Sequence, residues 1–254
     1  MNERPRVGLF VTCLVDLVRP QVGFAAVKLL ENAGCEVVVP TSQTCCGQPA
    51  WNAGADGHAA AIARQVVDAF EAFDYVVVPS GSCAGMIRCH YPECLKDDPA
   101  YASRARALAR KTHELMSFLV RVRGVTKVEA KCPARVVYHS SCSSLREMGV
   151  NGEPQQLLAS VEGLTLLELS ESEVCCGFGG LFSVKYPEIS ERMADDKIAN
   201  ALATGADILV GPDLGCLLHL TGRLKRQGKN IRVRHAAEIL AGMMDTPALG
   251  DGEP

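Results

Sequence analysis

Asp74-Tyr75-Val76-Val77-Val78-Pro79-Ser80-Gly81-Ser82-Cys83 and Asp207-Ile208-Leu209-Val210-Gly211-Pro212-Asp213-Leu214-Gly215-Cys216 are two versions of one phrase. Each opens on an aspartate, runs through a short aliphatic segment, turns at a proline and reaches a cysteine nine positions after the aspartate. A short apolar run bounded by turn residues reads as a buried strand, and a phrase used twice calls for comparing the chain with itself. At an offset of about 130 residues two further blocks coincide, in the same order. Arg6-Val7-Gly8-Leu9-Phe10-Val11-Thr12-Cys13 matches Arg135-Val136-Val137-Tyr138-His139-Ser140-Ser141-Cys142, and Cys45-Cys46-Gly47 matches Cys175-Cys176-Gly177. The spacings agree as well: 31 residues lie between Cys13 and Cys45 against 32 between Cys142 and Cys175, and 35 between Gly47 and Cys83 against 38 between Gly177 and Cys216. The chain is a duplication.

Working outward, strands are predicted at residues 7–12, 36–39 and 75–78, with helices at 20–32 and 58–70 between them. Pro20 stands in the first turn of the earlier helix and Gly34 just past its end, as helix boundaries prefer. The second half repeats the scheme, with strands near 135–138, 164–169 and 208–210, helices near 155–160 and 187–203, and a closing pair at 231–233 and 236–243. Strands alternating with helices specify an α/β fold with a mostly parallel sheet covered by helices. Two pseudo-equivalent lobes are therefore expected, at 5–123 and 134–243, joined by a linker at 124–133 and followed by a flexible tail at 244–254. Residues 99–123 read as one long helix.

The 254 residues are 48% apolar and 22% charged, enough for a sizeable core. Against 29 acidic residues stand 26 lysines and arginines, a net charge of −3, so nothing recommends a nucleic-acid backbone or an anionic membrane as partner. Apolar stretches such as residues 7–15 fall well short of the roughly 20 needed to span a bilayer, and Met-Asn-Glu-Arg-Pro is not a signal segment. A cytoplasmic protein is expected. Twelve cysteines in a reducing compartment point to metal or redox chemistry rather than disulfides.

In open parallel sheets ligands bind beyond the carboxyl ends of the strands, and every duplicated cysteine falls there. Cys13 follows the first strand, Cys45 and Cys46 the second, and Cys83 the third; Cys142, Cys175, Cys176 and Cys216 repeat this. Two four-thiol sites result, suited to iron–sulfur clusters or to structural zinc. Because the thiols come from three loops and include an adjacent pair, clusters are preferred and a zinc-stabilised scaffold remains the alternative. Both thiols of a doublet reach one site only if the backbone turns sharply, for which Gly47 and Gly177 supply the permissive residue.

On these motifs the chain resembles the duplicated cysteine-rich CCG-domain family, over about residues 5–243. That family includes the B subunit of heterodisulfide reductase, the iron–sulfur subunit of glycolate oxidase and a lactate-utilization group. The segment Ser80-Gly81-Ser82-Cys83-Ala84-Gly85-Met86 and the two-repeat length resemble the last most. The resemblance implies up to two clusters per chain, of [4Fe–4S] type, held by the eight duplicated cysteines. It implies an electron-transfer subunit of an L-lactate or 2-hydroxyacid oxidation system, acting with a ferredoxin-like iron–sulfur protein and a third subunit. The alternative is a heterodisulfide reductase-like thiol/disulfide enzyme working at an open cluster.

One departure weakens that alternative: where such members carry Cys-x-x-Cys, this chain has Cys83-Ala84-Gly85-Met86 and Cys216-Leu217-Leu218-His219. Four thiolates per half remain, and Met86 and His219 are the candidate substitutes. Cys35, Cys89, Cys94 and Cys132 have no counterpart in the other half; Cys89 and Cys94 could form an auxiliary pair, the others a buried pair of small hydrophobes. His113 and His235 are expected as helix caps or surface groups, His139 as a group that tunes a cluster, and Trp51 as core or as a wall against solvent. No G-x-G-x-x-G fingerprint follows a strand, and no residues for catalysis on a hydroxyacid are recognisable.

Overall fold

Valine and isoleucine runs become strands here because both faces of each sheet are covered, and strands buried on both sides need no alternation. The computed structural model of the chain describes residues 4–251. Strands β1 (Arg6–Leu9), β2 (Glu36–Val38), β3 (Tyr75–Val78) and β4 (Thr112–Glu114) form one sheet in the order β2-β1-β3-β4, every pair parallel. Strands β5 (Arg135–Tyr138), β6 (Thr165–Leu167), β7 (Ile208–Gly211) and β8 (Arg232–His235) form the second in the order β6-β5-β7-β8, again all parallel. The expected two-part α/β architecture is thus present, with the duplication legible in the strand order itself.

Helices cover the faces. The helix Pro20–Asn32 buries Val22, Ala25, Ala26, Leu29 and Leu30 along one side, the stripe its spacing predicts. Helices Asp56–Phe70, Pro187–Ala203 and Leu214–Arg226 do the same for their sheets. The long helix expected over residues 99–123 does not exist. Instead Ala102–Arg110 is helical, β4 follows, and short helical turns occupy Leu115–Ser117 and Phe118–Val122. The strand wins because β3 would otherwise be left with an open edge: Val76 donates to the Lys111 carbonyl, and Val76, Val77 and Val78 pair with Thr112, His113 and Glu114. Tertiary pairing overrides helical propensity.

The two sheets are not packed as independent bodies. One apolar cluster includes Val7, Leu29, Leu115, Met116 and Leu119 from the first half together with Val136, Leu157, Leu209, Val233 and Leu240 from the second. Polar contacts reinforce the junction. Arg19 donates from Nε and Nη2 to Glu238 Oε1 at 2.9 and 2.7 Å, and Lys28 Nζ to the Ala241 carbonyl at 2.8 Å. Residues 124–133 form no helix or named strand and touch the second half through a bridge between Lys131 and Glu162. The segment expected to be a flexible tail is held where it is described: Arg234 donates to the carbonyls of Met244 and Thr246, Arg19 to that of Pro247, and Leu249 is buried. Its last three residues, 252–254, lie outside the described residues.

Candidate functional site

The loops after β1, β2 and β3 carry the first set of thiols, and those after β5, β6 and β7 the second. Cys13 opens the short helix Cys13–Val18, and Cys83 lies in Gly81–Gly85, started by Ser80, whose Oγ accepts from the Cys83 N–H at 3.4 Å. Cys142 begins Cys142–Arg146, and Cys216 sits in the first turn of Leu214–Arg226, where Asp213 accepts from Gly215. Thr12, just before Cys13, has φ 76°, a conformation a β-branched residue adopts only under constraint.

The doublets turn as the glycines allow. Gly47 and Gly177 have φ of 83° and 87°, and a Cβ on Gly177 would stand 2.5 Å from the Ser190 carbonyl oxygen. Their N–H groups donate back to the sulfur two residues earlier, Gly47 to Cys45 Sγ at 3.4 Å and Gly177 to Cys175 Sγ at 3.3 Å. The thiols of a half then form a chain. Cys45 lies beside Cys13 and Cys46, and Cys46 Sγ is 3.3 Å from Cys83 Sγ; Cys175 lies beside Cys142 and Cys176, and the sulfurs of Cys176 and Cys216 are within 4.8 Å of each other. All eight predicted ligands are therefore gathered into two sets of four.

Electrostatics follow from that chain. Interaction with two neighbouring thiols pushes Cys45, and likewise Cys175, well below the ordinary thiol range. Cys13, Cys46, Cys142 and Cys176 are pushed up, first by the neighbouring cysteine of the doublet and then by burial. In each half the outer sulfurs (Cys13 and Cys45; Cys142 and Cys175) are half-buried and the inner ones (Cys46 and Cys83; Cys176 and Cys216) are buried. A soft donor set of four sulfurs suits an iron–sulfur cluster or zinc, not magnesium or calcium.

Other candidates fall away or change role. Met86 is fully buried in the apolar cluster that also holds Cys46 and Cys83. His219 engages Ser190 Oγ through its Nε2 at 3.2 Å. Cys35 and Cys132 are buried in the shared core; Cys89 is exposed and directs its sulfur at the Glu147 carbonyl, and no hydrogen bond joins it to Cys94 among the described residues. His235 caps Ala236–Leu240, accepting from Ala237 through Nδ1, whereas His113 lies in β4 between the rings of Tyr75 and Phe118. Trp51 packs half-buried against His90. His139 is the residue whose importance the sequence understated: fully buried, it brings a ring nitrogen to the Cys176 and Cys216 sulfurs, all within 4.8 Å of one another.

The halves also touch at their cysteine loops. Asp213 Oδ2 accepts from Ser80 Oγ, Ser82 N and Ser82 Oγ at 3.0, 3.1 and 2.6 Å, and Gly81 approaches so closely that a Cβ there would lie 2.7 Å from Ser144 Cα. A cleft of about 180 Å³ at this junction is lined by Ser82, Cys142, Phe178, Asp213 and Cys216. A cavity of about 640 Å³ lies elsewhere, between Leu29, Arg123, Val128 and Leu240, and touches none of the eight cysteines. No helix among the described residues is long and apolar enough to cross a membrane.

Comparison with known proteins agrees with the duplication. The model of the cysteine-rich domain named CCG matches twice, at residues 7–88 and 136–221. Lactate utilization protein A from Exiguobacterium is 49% identical over 93% of this chain and 97% of its own, and its namesake from Halalkalibacterium halodurans 48% over 92% and 96%. Among solved structures, that of a hypothetical protein from Helicobacter pylori superposes with a TM-score of 0.59 at 14% identity, covering 99% of this chain and half of the other, a likeness of fold alone. With the paired domains spanning both cysteine sets and near-half identity along almost the whole length, the chain belongs to the cysteine-rich CCG-domain family, in the group of lactate utilization protein A.

Proposed function

We propose that the chain is an iron–sulfur electron carrier in the oxidation of L-lactate or a related 2-hydroxyacid. One observation carries the reading: in each half four thiols from three separate loops converge at the carboxyl end of a parallel sheet. Iron–sulfur clusters bound there would supply one-electron chemistry. The chain's own residues hold the cysteine loops rigid, keep two sulfurs of each set from solvent, and aim the Gly47 and Gly177 N–H groups at doublet sulfurs, a contact that tunes reduction potential. The names of the relatives point to lactate. The electron route involves a ferredoxin-like iron–sulfur protein and a third subunit, and a [4Fe–4S] cluster in each half is the reading that four thiolates favour.

The absence of a fifth thiol at Met86, which packs in the core, counts against a heterodisulfide reductase-like reaction at an open cluster. The test is anaerobic purification with iron and acid-labile sulfide analysis, followed by turnover with an artificial acceptor. About two clusters per chain are expected, with no lactate oxidation by the chain alone and reduction of its clusters when the partner complex is added. Cys46→Ser and Cys176→Ser are each expected to lose one half's cluster while leaving the far-UV circular dichroism intact. Stoichiometric zinc without sulfide, or brisk lactate oxidation by the purified chain, would overturn the proposal.

A further inference from the structure

The two centres are not equivalent, and the difference is one residue deep. Position five of the first duplicated block is Phe10 in one half and His139 in the other. Phe10 is fully buried and packs against Phe70 with ring centroids 5.5 Å apart. His139 is equally buried, yet neither Nδ1 nor Nε2 has a hydrogen-bond partner among the described residues. A buried imidazole left unpaired destabilises the fold, and core histidines avoid that cost by bonding to a carbonyl or carboxylate. The ring instead sits among the sulfurs of Cys176 and Cys216.

We infer that His139 donates an imidazole nitrogen to the metal–sulfur centre of the second half, as a fifth donor beside Cys142, Cys175, Cys176 and Cys216. This rests on the proposed iron–sulfur function and adds to it that the two halves hold unlike centres, all-thiolate in the first and mixed in the second. The ring is fully buried, and the nitrogen that binds a metal must carry no proton. His219, the nearest competitor, already engages Ser190. A second asymmetry lies alongside: Lys197 is buried at the second site, with its Nζ donating to the Glu171 carbonyl, and its charge bears on Cys175, Cys176 and Cys216. Both halves keep four cysteines, so the added imidazole and the nearby ammonium are what set the second centre apart from the first.

The test uses the full chain, loaded with iron and sulfide without oxygen and reduced, prepared once with natural histidine and once with ¹⁵N-histidine. Pulsed electron paramagnetic resonance is expected to show strong nitrogen coupling whose pattern changes with the label. That coupling is expected to disappear in His139→Phe, which installs the first half's residue, and in His139→Gln, and to persist in His219→Asn. Labelling the wild-type chain needs no substitution, so the inference stays testable if the variants fold poorly. Clusters present without strong histidine coupling, or coupling that survives loss of His139, would overturn this inference and leave the proposed function standing. A chain that binds no iron and sulfide would overturn both.

Discussion

At the scale of single residues, the doublet glycines differ between the halves in a way that stability measurements can read. A methyl on Gly177 would meet the Ser190 backbone oxygen at 2.5 Å, whereas on Gly47 the nearest atom is the side-chain Cγ2 of Ile62 at 3.3 Å. Both positions carry a positive φ that disfavours alanine, so both substitutions should destabilise, by about 1–3 kcal/mol. Gly177→Ala should cost more, because backbone cannot yield as a side chain does. Denaturant unfolding of the two metal-free variants checks the order, and equal losses would mean that φ alone decides. The thiols themselves were legible in the sequence because duplication marks them twice. His139 was legible only as the polar exception to an aromatic counterpart; that its nitrogens lack partners depends on which residues the fold brings near, which spacing does not encode.

At the scale of elements, the interior strands were readable because β3, β5 and β7 are buried on both faces and write themselves as unbroken apolar runs. β4 was not, since Thr112-His113-Glu114 carries no such run and exists to pair with β3. Its burial has a measurable consequence. Desolvation pushes the His113 pKa down to about 4, and that of His235, the cap after β8, also down. Desolvation raises Glu114 to about 7. Unfolding below about pH 6.5 lets both histidines gain protons, so their contribution is lost as pH falls towards their folded values. Glu114 acts oppositely, because its folded form binds the proton more tightly, and its contribution is lost as pH rises through about 7. His139, held down to about 4, and His219, also held down, act in the same sense in the metal-free chain, so four groups against one leave a net loss on the order of 1–4 kcal/mol per pH unit on acidification below about 6.5. Urea titrations of the metal-free chain at pH 7 and 5.5 should show it, and His113→Phe should flatten the slope. An unchanged midpoint would show that these groups do not control acid stability.

At the scale of the whole molecule, the junction between halves rests on Arg19 and Glu238, whose side chain is fully buried. Arg19→Ala strands that carboxylate with only the His235 N–H as partner and should cost about 3–5 kcal/mol, whereas replacing the pair by Met and Leu should cost much less. Thermal denaturation of the single and double variants distinguishes them, and equal losses would assign the effect to packing instead. Two repeats were evident from spacing alone, but that they share a core was not, because Leu115, Met116 and Leu119 read equally well as the inner face of a private helix. The shared core bears on synthesis. A nascent chain presents Cys13, Cys45, Cys46 and Cys83 early, while the apolar surface that seats their sheet has its partners, Leu157, Leu209 and Leu240, still untranslated. The first half therefore leaves the ribosome with an unfinished interior, and its four cysteines come to lie in a settled site only after nearly the whole polypeptide has emerged.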